Sequence, residues 1–398
     1  MKVLQLMSCR GWSSDAYWAA RISAELERAG HEVTLVCKRG SETRVMDRAR
    51  DAGAHRIETL AFAAGLRPAA DLADLRRLRS LLRAGDVVHV HRGKEHWLAA
   101  LAVRAWRSPR PVVRTRHIVQ PIRAHPLNRW LYRRGTDLVV TVTEAIRTQY
   151  VASGLMTPER VVALPGGVDA ERFDPKTDGA GFRASLPVEA DIPLVGLVSG
   201  FRVMKGHLIA VEALKRLAAE GRRFRAVFIG EGALEPIVSR AAATAGLEER
   251  IAFVGFTHDL PTAMAAFDVA LYPPLESDGM SRVLFEYLAM GRAVVASRVG
   301  VVPEVLADGR SALLVPAGEP GPLAAAIGRL LADSALRAKL GATAAELART
   351  RLSGACVARK LGELYATLMF EPSRGRRGSC EPHVAVRGER RSRKPRAE

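Results

Sequence analysis

The sequence predicts an α/β protein made of two parallel-sheet halves. Three observations carry that prediction. Short apolar runs alternate with stretches whose apolar residues recur at helical spacing. The alternation breaks at an irregular segment of Pro, Gly and acidic residues between Pro165 and Ala190, then restarts. The first unit reads strand, glycine-containing turn, helix, strand, which is the pattern of a parallel sheet with ligands at the C-terminal strand edges. At 398 residues the chain is long enough for two domains.

Lys2–Met7 reads as a short buried strand, followed by a loop over Ser8–Asp15. A helical pattern runs through Tyr17, Ala20, Ile22 and Leu26, with Gly30 as its C-terminal stop, and Glu32–Cys37 is the second strand. Further first-half strands are expected at Arg56–Thr59, Asp86–Val90, Val112–Thr115, Leu138–Val142 and Val161–Leu164. Helices are expected through Leu72–Leu82, Trp97–Trp106, Leu127–Arg134 and Ala145–Val151. In the second half the expected strands are Leu194–Val198, Arg225–Ile229, Ile251–Val254, Val269–Tyr272, Ala293–Ser297 and Ala312–Val315. Pro322 to about Leu368 is long enough for several helices. The expected division is 1–175, 176–370 and a basic tail, 371–398, too poor in apolar residues to bury a core and expected to be disordered.

The net charge is +18. Nucleic acid, an anionic membrane surface, a phosphorylated substrate and plain solvated arginine faces are its possible meanings. No helix-turn-helix, zinc finger or aromatic-basic platform supports nucleic acid, so no specific nucleic-acid partner is expected. No apolar run has the length of a membrane span, and Met1–Met7 lacks the plan of a signal peptide. The expected location is cytoplasmic. Cys9, Cys37, Cys356 and Cys380 are scattered, which points to neither zinc nor a disulfide framework.

The chemistry gathers in Tyr272–Gly291, YPPLESDGMSRVLFEYLAMG, which reads as strand end, acidic glycine loop and helix. Apolar residues at Val283, Leu284, Leu288 and Ala289 give the helix, and Gly291 stops it. A helix N-terminus holds anions, and carboxylates accept hydrogen bonds from sugar hydroxyls. The plain alternative is a capped amphipathic helix with incidental acids. In the second half's first turn, Arg202 and Lys205 leave a strand just before a helix, a phosphate-binding arrangement unless they are ordinary surface cations. Gly230 and Gly255 end later strands and allow close backbone approach, or simply make tight turns. In the first half His89, His91 and His117 stand at strand C-terminal edges. Arg114, Arg116 and Arg123 lie near His117, which fits an anionic or phosphorylated acceptor. The segment Asn128–Arg134 mixes aromatics and cations as membrane-surface helices do, although core packing of Trp130 is the reading preferred.

Several segments together resemble the glycosyltransferase family 4 enzymes, also called glycosyl transferase group 1, over most of the chain. They are the turn at Gly11, RAGHEVTLVC at Arg28–Cys37, TDLVVTVTE at Thr136–Glu144, LPGGVDAERFDP at Leu164–Pro175, MKGH at Met204–His207, IGEG at Ile229–Gly232, VGF at Val254–Phe256 and the acidic stretch. The resemblance implies a GT-B fold, two Rossmann-like domains facing each other across a cleft, with the final helices returning toward the first domain. It implies a retaining transferase that moves a sugar from a nucleotide-sugar donor to a hydroxyl acceptor. It further implies that Glu286 holds the ribose, and that Asp278 with the backbone of Gly279, Met280 and Ser281 holds the donor sugar. Gly11, Gly230, Gly255, Phe256 and Glu276 also fall on the donor side. The family pattern has two acids with seven residues between them, and counting back from Glu286 reaches Asp278. Glu276 stands two residues earlier, so either acid can be the first of the site. Lys205 and Arg202 would neutralise the leaving diphosphate, although the family often has its arginine where this chain has Gly200. The family places a histidine near the reacting sugar after this strand, which favours His117 over His89 and His91.

No D-x-D motif occurs, so no metal or other cofactor is expected beside the nucleotide-sugar co-substrate. The acceptor class implied is a sugar, a lipid-linked sugar or a glycolipid of cell-envelope polysaccharide synthesis, with possible contact to an anionic membrane. Two rivals stand: a nucleotide-sugar epimerase on the same fold, and a non-catalytic nucleotide or membrane-surface binding protein. Product analysis separates the first. Lys205, Asp278 and Glu286 together argue against the second.

Overall fold

The structure is a computed structural model and describes residues 1–40, 43–187, 189, 191–277, 279–280 and 282–370. In the first half, β1 (Lys2–Met7), β2 (Glu32–Lys38), β3 (Ile57–Leu60), β4 (Val87–Val90), β5 (Val112–Arg116), β6 (Leu138–Thr141) and β7 (Val161–Ala163) form one sheet. Helices α1 (Ser14–Arg28), α2 (Thr43–Asp51), α3 (Pro68–Ala84), α4 (Gly93–Ala105), α5 (Pro126–Arg134) and α6 (Glu144–Ala152) connect them. After a short helix α7 (Ala180–Ala184), a second sheet follows. It contains β8 (Leu194–Val198), β9 (Arg225–Ile229), β10 (Ile251–Val254), β11 (Val269–Tyr272), β12 (Ala293–Ser297) and β13 (Leu313–Val315). Its helices are α8 (His207–Ala219), α9 (Glu235–Thr244), α10 (Leu260–Ala265), α11 (Arg282–Ala289), α12 (Val302–Val305), α13 (Pro320–Ala332), α14 (Ser334–Leu347) and α15 (Gly354–Phe370).

Every strand pair is parallel, and buried apolar residues line both faces, which is why the strands read as continuous apolar runs. The strand orders are β3-β2-β1-β4-β5-β6-β7 and β10-β9-β8-β11-β12-β13. Each order reverses once, between β1 and β4 and between β8 and β11. Crossovers on opposite sides of such a reversal leave a crevice at the strand C-terminal edge. The loops after β1 and β4 therefore face one crevice, and the loops after β8 and β11 face the other.

The chain returns to its first half at the end. Helix α15 packs along α1, the Tyr365 hydroxyl hydrogen-bonds His89 Nδ1, and a Cβ at Gly354 would stand 3.0 Å from Glu25 Cγ. In the linker, Gly167 donates to the Leu352 carbonyl at 2.8 Å and Asp169 pairs with Arg21 at 2.7 Å. The sequence reading misses α2, whose pattern Thr43–Asp51 is mostly charged; among its described side chains Val45 and Ala49, one turn apart, are the buried ones. It also treats the whole of Pro165–Ala190 as irregular, where α7 forms.

Candidate active site

The loop after β8 is fixed by glycine. Val203–Lys205 form a single 3-10 turn, with the Lys205 N–H donating to the Arg202 carbonyl at 2.9 Å. Gly206 ends that turn at φ +74° and caps α8; a Cβ there would strike the Pro273 carbonyl. The Leu275 N–H donates to the Met204 carbonyl at 2.9 Å. The loops after β8 and β11 are thus locked together, with Lys205 at the N-terminus of α8. Beneath it, His207 stacks on Phe201 at 4.3 Å, and burial with the nearby Lys205 charge lowers its pKa to about 4. Arg202 is exposed beside Lys205.

The loop after β11 reaches across the cleft. Gly279 donates to Ser277 Oγ at 3.2 Å and sits at φ +98°. A Cβ on Gly279 would collide with the His117 carbonyl oxygen, so this loop touches the backbone of the opposite half. Met280 is buried, and Glu276 is exposed at the loop's outer side. Asp278 and Ser281 lie outside the described residues. On α11, Glu286 is fully buried. Its Oε1 accepts from Arg282 Nε at 2.6 Å, and its Oε2 has no partner. The Arg282 guanidinium lies over the Tyr17 ring, 4.2 Å from its centre.

Gly230 and Gly255 differ in what they do. Gly230, at φ +144°, is pressed against the Ser199 backbone, so its missing side chain serves the loop after β8. Gly255 is uncrowded, its nearest neighbour being Glu231 Oε1 at 3.9 Å from a built Cβ. Phe256 stands exposed, edge-on to His258 at 4.9 Å. It borders a cavity of about 390 Å³ that both halves line, with Trp12, Tyr17, Arg48 and Arg172 from the first and Phe256 and Arg282 from the second.

In the first half the three histidines stack in a row under Trp18. His91 Nδ1 lies 3.2 Å from His117 Nε2, and His91 Nε2 lies 2.7 Å from Gln5 Oε1. His117 Nδ1 is buried with no partner. His89 is corrected from a cleft residue to a packing residue: Thr115 and Tyr365 occupy both its ring nitrogens, and it is fully buried. Burial lowers His117 and His89 to about 3, so both imidazoles are neutral near pH 7.

Arg114, expected near the acceptor, is 4% exposed, and its Nε and Nη1 are buried with no hydrogen-bond partner among the described residues. Arg116 donates to the Gln120 carbonyl at 2.7 Å, and burial lowers its pKa.

The sequence reading also missed two charged partners. Gly11 accepts the Ser13 N–H at 3.0 Å in the loop that carries Asp15. Asp15 binds Arg92 Nε at 2.6 Å and Ser13 Oγ, and it adds a favourable charge beside His117. Burial opposes the Asp15 charge, but Arg92, His117 and Ser13 hold its carboxyl below the usual range. Arg92 directly follows His91 at a strand end, so the reasoning that found His91 could have found it; nothing local announces its pairing with a residue 77 positions away.

Two facing crevices, one lined by cations and a helix N-terminus and the other by neutral histidines, define a GT-B glycosyltransferase architecture. Solved structures share it. A glycosyltransferase from Rickettsia africae superposes with a TM-score of 0.82 at 19% identity, over 94% of this chain and 99% of that one. Anabaena HepE, solved in complex with UDP, gives 0.80 at 21%, over 92% and 100%. Residues 16–172 match the family described as Glycosyltransferase Family 4, and residues 192–333 match Glycosyl transferases group 1. The 2-deoxystreptamine glucosyltransferase of Streptomyces kanamyceticus is 32% identical over 289 residues, 67% of this chain and 73% of that protein. A GDP-mannose-dependent phosphatidylinositol monomannoside mannosyltransferase of Mycolicibacterium smegmatis is 28% identical over 283 residues, 67% and 72%. The chain belongs to the group 1, family 4 glycosyltransferases. Among its described residues no helix is long and apolar enough to cross a membrane.

Proposed function

We propose that this glycosyltransferase moves a sugar from a nucleotide-sugar donor to a hydroxyl of a sugar, lipid-linked sugar or glycolipid acceptor, with retention at the anomeric carbon. The observation that carries the reading is the convergence of three loops. The Lys205 turn is locked onto the loop after β11, and that loop rests on His117 across the cleft.

In this reading Lys205, Arg202 and the N–H groups opening α8 hold the donor diphosphate, so no divalent cation is required. Glu286 Oε2 accepts from the ribose. Asp278 and the backbone of residues 279–281 hold the donor sugar, a role that Glu276, two residues earlier, can share. As the bond from the anomeric carbon to the phosphate oxygen breaks, negative charge grows on the leaving phosphate, which Lys205 stabilises more than the ground state. The acceptor oxygen bonds to the anomeric carbon on the same face, and its proton passes to the leaving phosphate. His117, neutral and backed by Asp15, receives a hydroxyl by hydrogen bond.

The relatives' names favour sugar and phosphatidylinositol-type acceptors, and hence work on the cytoplasmic side, at a membrane when the acceptor is a lipid. On α5, Trp130 stacks on Trp97 at 5.8 Å while Leu127 stands exposed. The test is a panel of UDP- and GDP-sugars incubated with candidate acceptors, with the anomeric configuration of the product read by NMR. An inverted product sinks the retaining mechanism. Conversion of the donor alone into an isomer, without transfer, sinks the transferase reading.

A further inference from the structure

Glu286 is the one fully buried carboxylate of α11, and the neighbour that holds it belongs to two contacts at once. Arg282 Nε donates to Glu286 Oε1 at 2.6 Å, while the same guanidinium lies 4.2 Å over the ring of Tyr17, on α1 of the opposite half. Tyr17 is 8% exposed, and Trp12 stands edge-on to its ring at 6.3 Å. Among the described residues Arg282 bonds no other carboxylate, so its flat face and its Nε fix its position from two sides. We propose that Arg282 is a positioning residue that couples closure of the two halves to donor binding, by orienting Glu286 only when Tyr17 is seated against it.

The proposal rests on the reading above that Glu286 holds the ribose. When the halves part, Tyr17 leaves with α1, and Arg282 keeps one anchor instead of two. The long side chain then regains rotamers, and Glu286 loses a fixed orientation for Oε2. Linkage makes the effect reciprocal: whatever binds Oε2 in the oriented state also draws the halves together. The Tyr17 hydroxyl plays no part as a charge, since burial, with Glu286 nearby, pushes its pKa up to about 12. Burial disfavours the Arg282 charge, but Glu286 and Tyr17 raise its pKa, so the cation needed over the ring persists at any working pH.

The experiment titrates UDP and GDP into the wild-type chain, Tyr17→Leu, Tyr17→Phe and Arg282→Lys by calorimetry, with small-angle scattering of each protein with and without the nucleotide that binds. Tyr17→Leu keeps an apolar side chain, of smaller volume, and removes the π face; Tyr17→Phe keeps the ring and nearly all of the volume. Expected are a Kd weakened about five-fold by Tyr17→Leu, in the range of a partly buried cation–π contact, and a nucleotide-induced compaction that shrinks with it. Tyr17→Phe retains both wild-type properties. Arg282→Lys, altered on the other side of the contact, shows the same losses as Tyr17→Leu and covers the case in which that variant fails to fold. Wild-type Kd and compaction in Tyr17→Leu or Arg282→Lys overturn the coupling, and so does a Tyr17→Phe protein that behaves as Tyr17→Leu. If neither nucleotide binds the wild-type chain, the donor reading itself falls and takes the proposal with it.

Discussion

Gly279→Ala separates assembly of the site from folding of the halves. Gly279 has φ +98°, where an alanine pays roughly 1–2 kcal/mol in backbone strain. The larger effect is a collision. A Cβ built on Gly279 meets the His117 carbonyl oxygen well inside van der Waals contact, and lies 3.1 Å from the carbonyl carbon and 3.5 Å from Ile118 Cα. These are backbone atoms of the other half, which no rotamer change can move. The loop and His117 must therefore separate by about 1 Å or more to restore ordinary contact. A misplacement of that size between reacting groups costs on the order of 100-fold in rate. The expected result is a fall of about 100-fold in kcat/KM for glycosyl transfer, with a melting temperature lowered by only about 2–8 °C. Gly309→Ala is the control, since Gly309 has φ +69° and nothing within 4 Å of a built Cβ. It carries comparable strain without the collision, and it should lose stability while keeping activity. A Gly279→Ala enzyme with wild-type kcat/KM would show that the contact between this loop and His117 is absent during turnover.

Lys205→Ala should lower kcat by about 100- to 1,000-fold, the usual effect of removing one fixed donor from a developing charge, with the fold intact by circular dichroism. Unchanged turnover would remove the phosphate role of the turn at α8. Glu304→Ala should weaken closure: in the closed protein Glu304 of the second half accepts the Glu144 N–H at 2.6 Å and the Ala145 N–H at 3.0 Å, at the start of α6 in the first half. Thr143 still caps α6 through the Ile146 N–H at 3.1 Å, so the loss of about 1 kcal/mol falls on closure, a shift of about five-fold that appears in donor KM rather than in the melting temperature. Acid should destabilise the first half. Burial lowers His89 and His117 to about 3 and holds His91 and His96 well below their usual value. The unfolded chain therefore binds more protons as pH falls from 6.5 toward 3, and His89 and His117 each remove roughly 1.4 kcal/mol of stability per pH unit in that window, about 2 kcal/mol by pH 5, with His91 and His96 acting in the same direction. Thermal melts between pH 7.5 and 5 check this, and a flat melting temperature refutes it.

Both sheets were legible in the sequence because parallel strands are buried on both faces. Leu194–Val198 and Val269–Tyr272 consist of buried residues along their whole length, so their apolar runs stand out and their bounds are read directly. Helix α2 was illegible for the opposite reason: Val45 and Ala49, with Met46 half-buried beside them, are too short an apolar pattern to stand out. The glycines and Lys205 were legible because a turn leaving a strand and entering a helix is a local pattern. Pairings were not. Nothing in the run His89–His91 tells that Tyr365, 276 residues later, claims one of its rings. Nothing in Arg114 tells that its side chain turns into the fold, since strand alternation places a residue on a face without saying what covers that face.

Three of the contacts between the halves share one physical character. Gly279 against His117, Arg282 over Tyr17 and Glu304 on α6 are each a contact with few atoms, set at the edge of the cleft. Each is small beside the apolar cores that hold each half together, which include the buried sheet residues Val195, Leu197 and Phe228 on one side and Leu4, Leu6 and Val90 on the other. Losing a cleft contact therefore changes the population of the closed state by factors of about five, while losing a core residue threatens folding. Residues such as Tyr17 and Glu304 carry no chemistry of their own, and a search for acids, histidines and phosphate loops passes over them. Their effect comes through the equilibrium that brings Lys205, Glu286 and His117 to one place, so substitutions there should alter donor KM and nucleotide-induced compaction together, by a common factor.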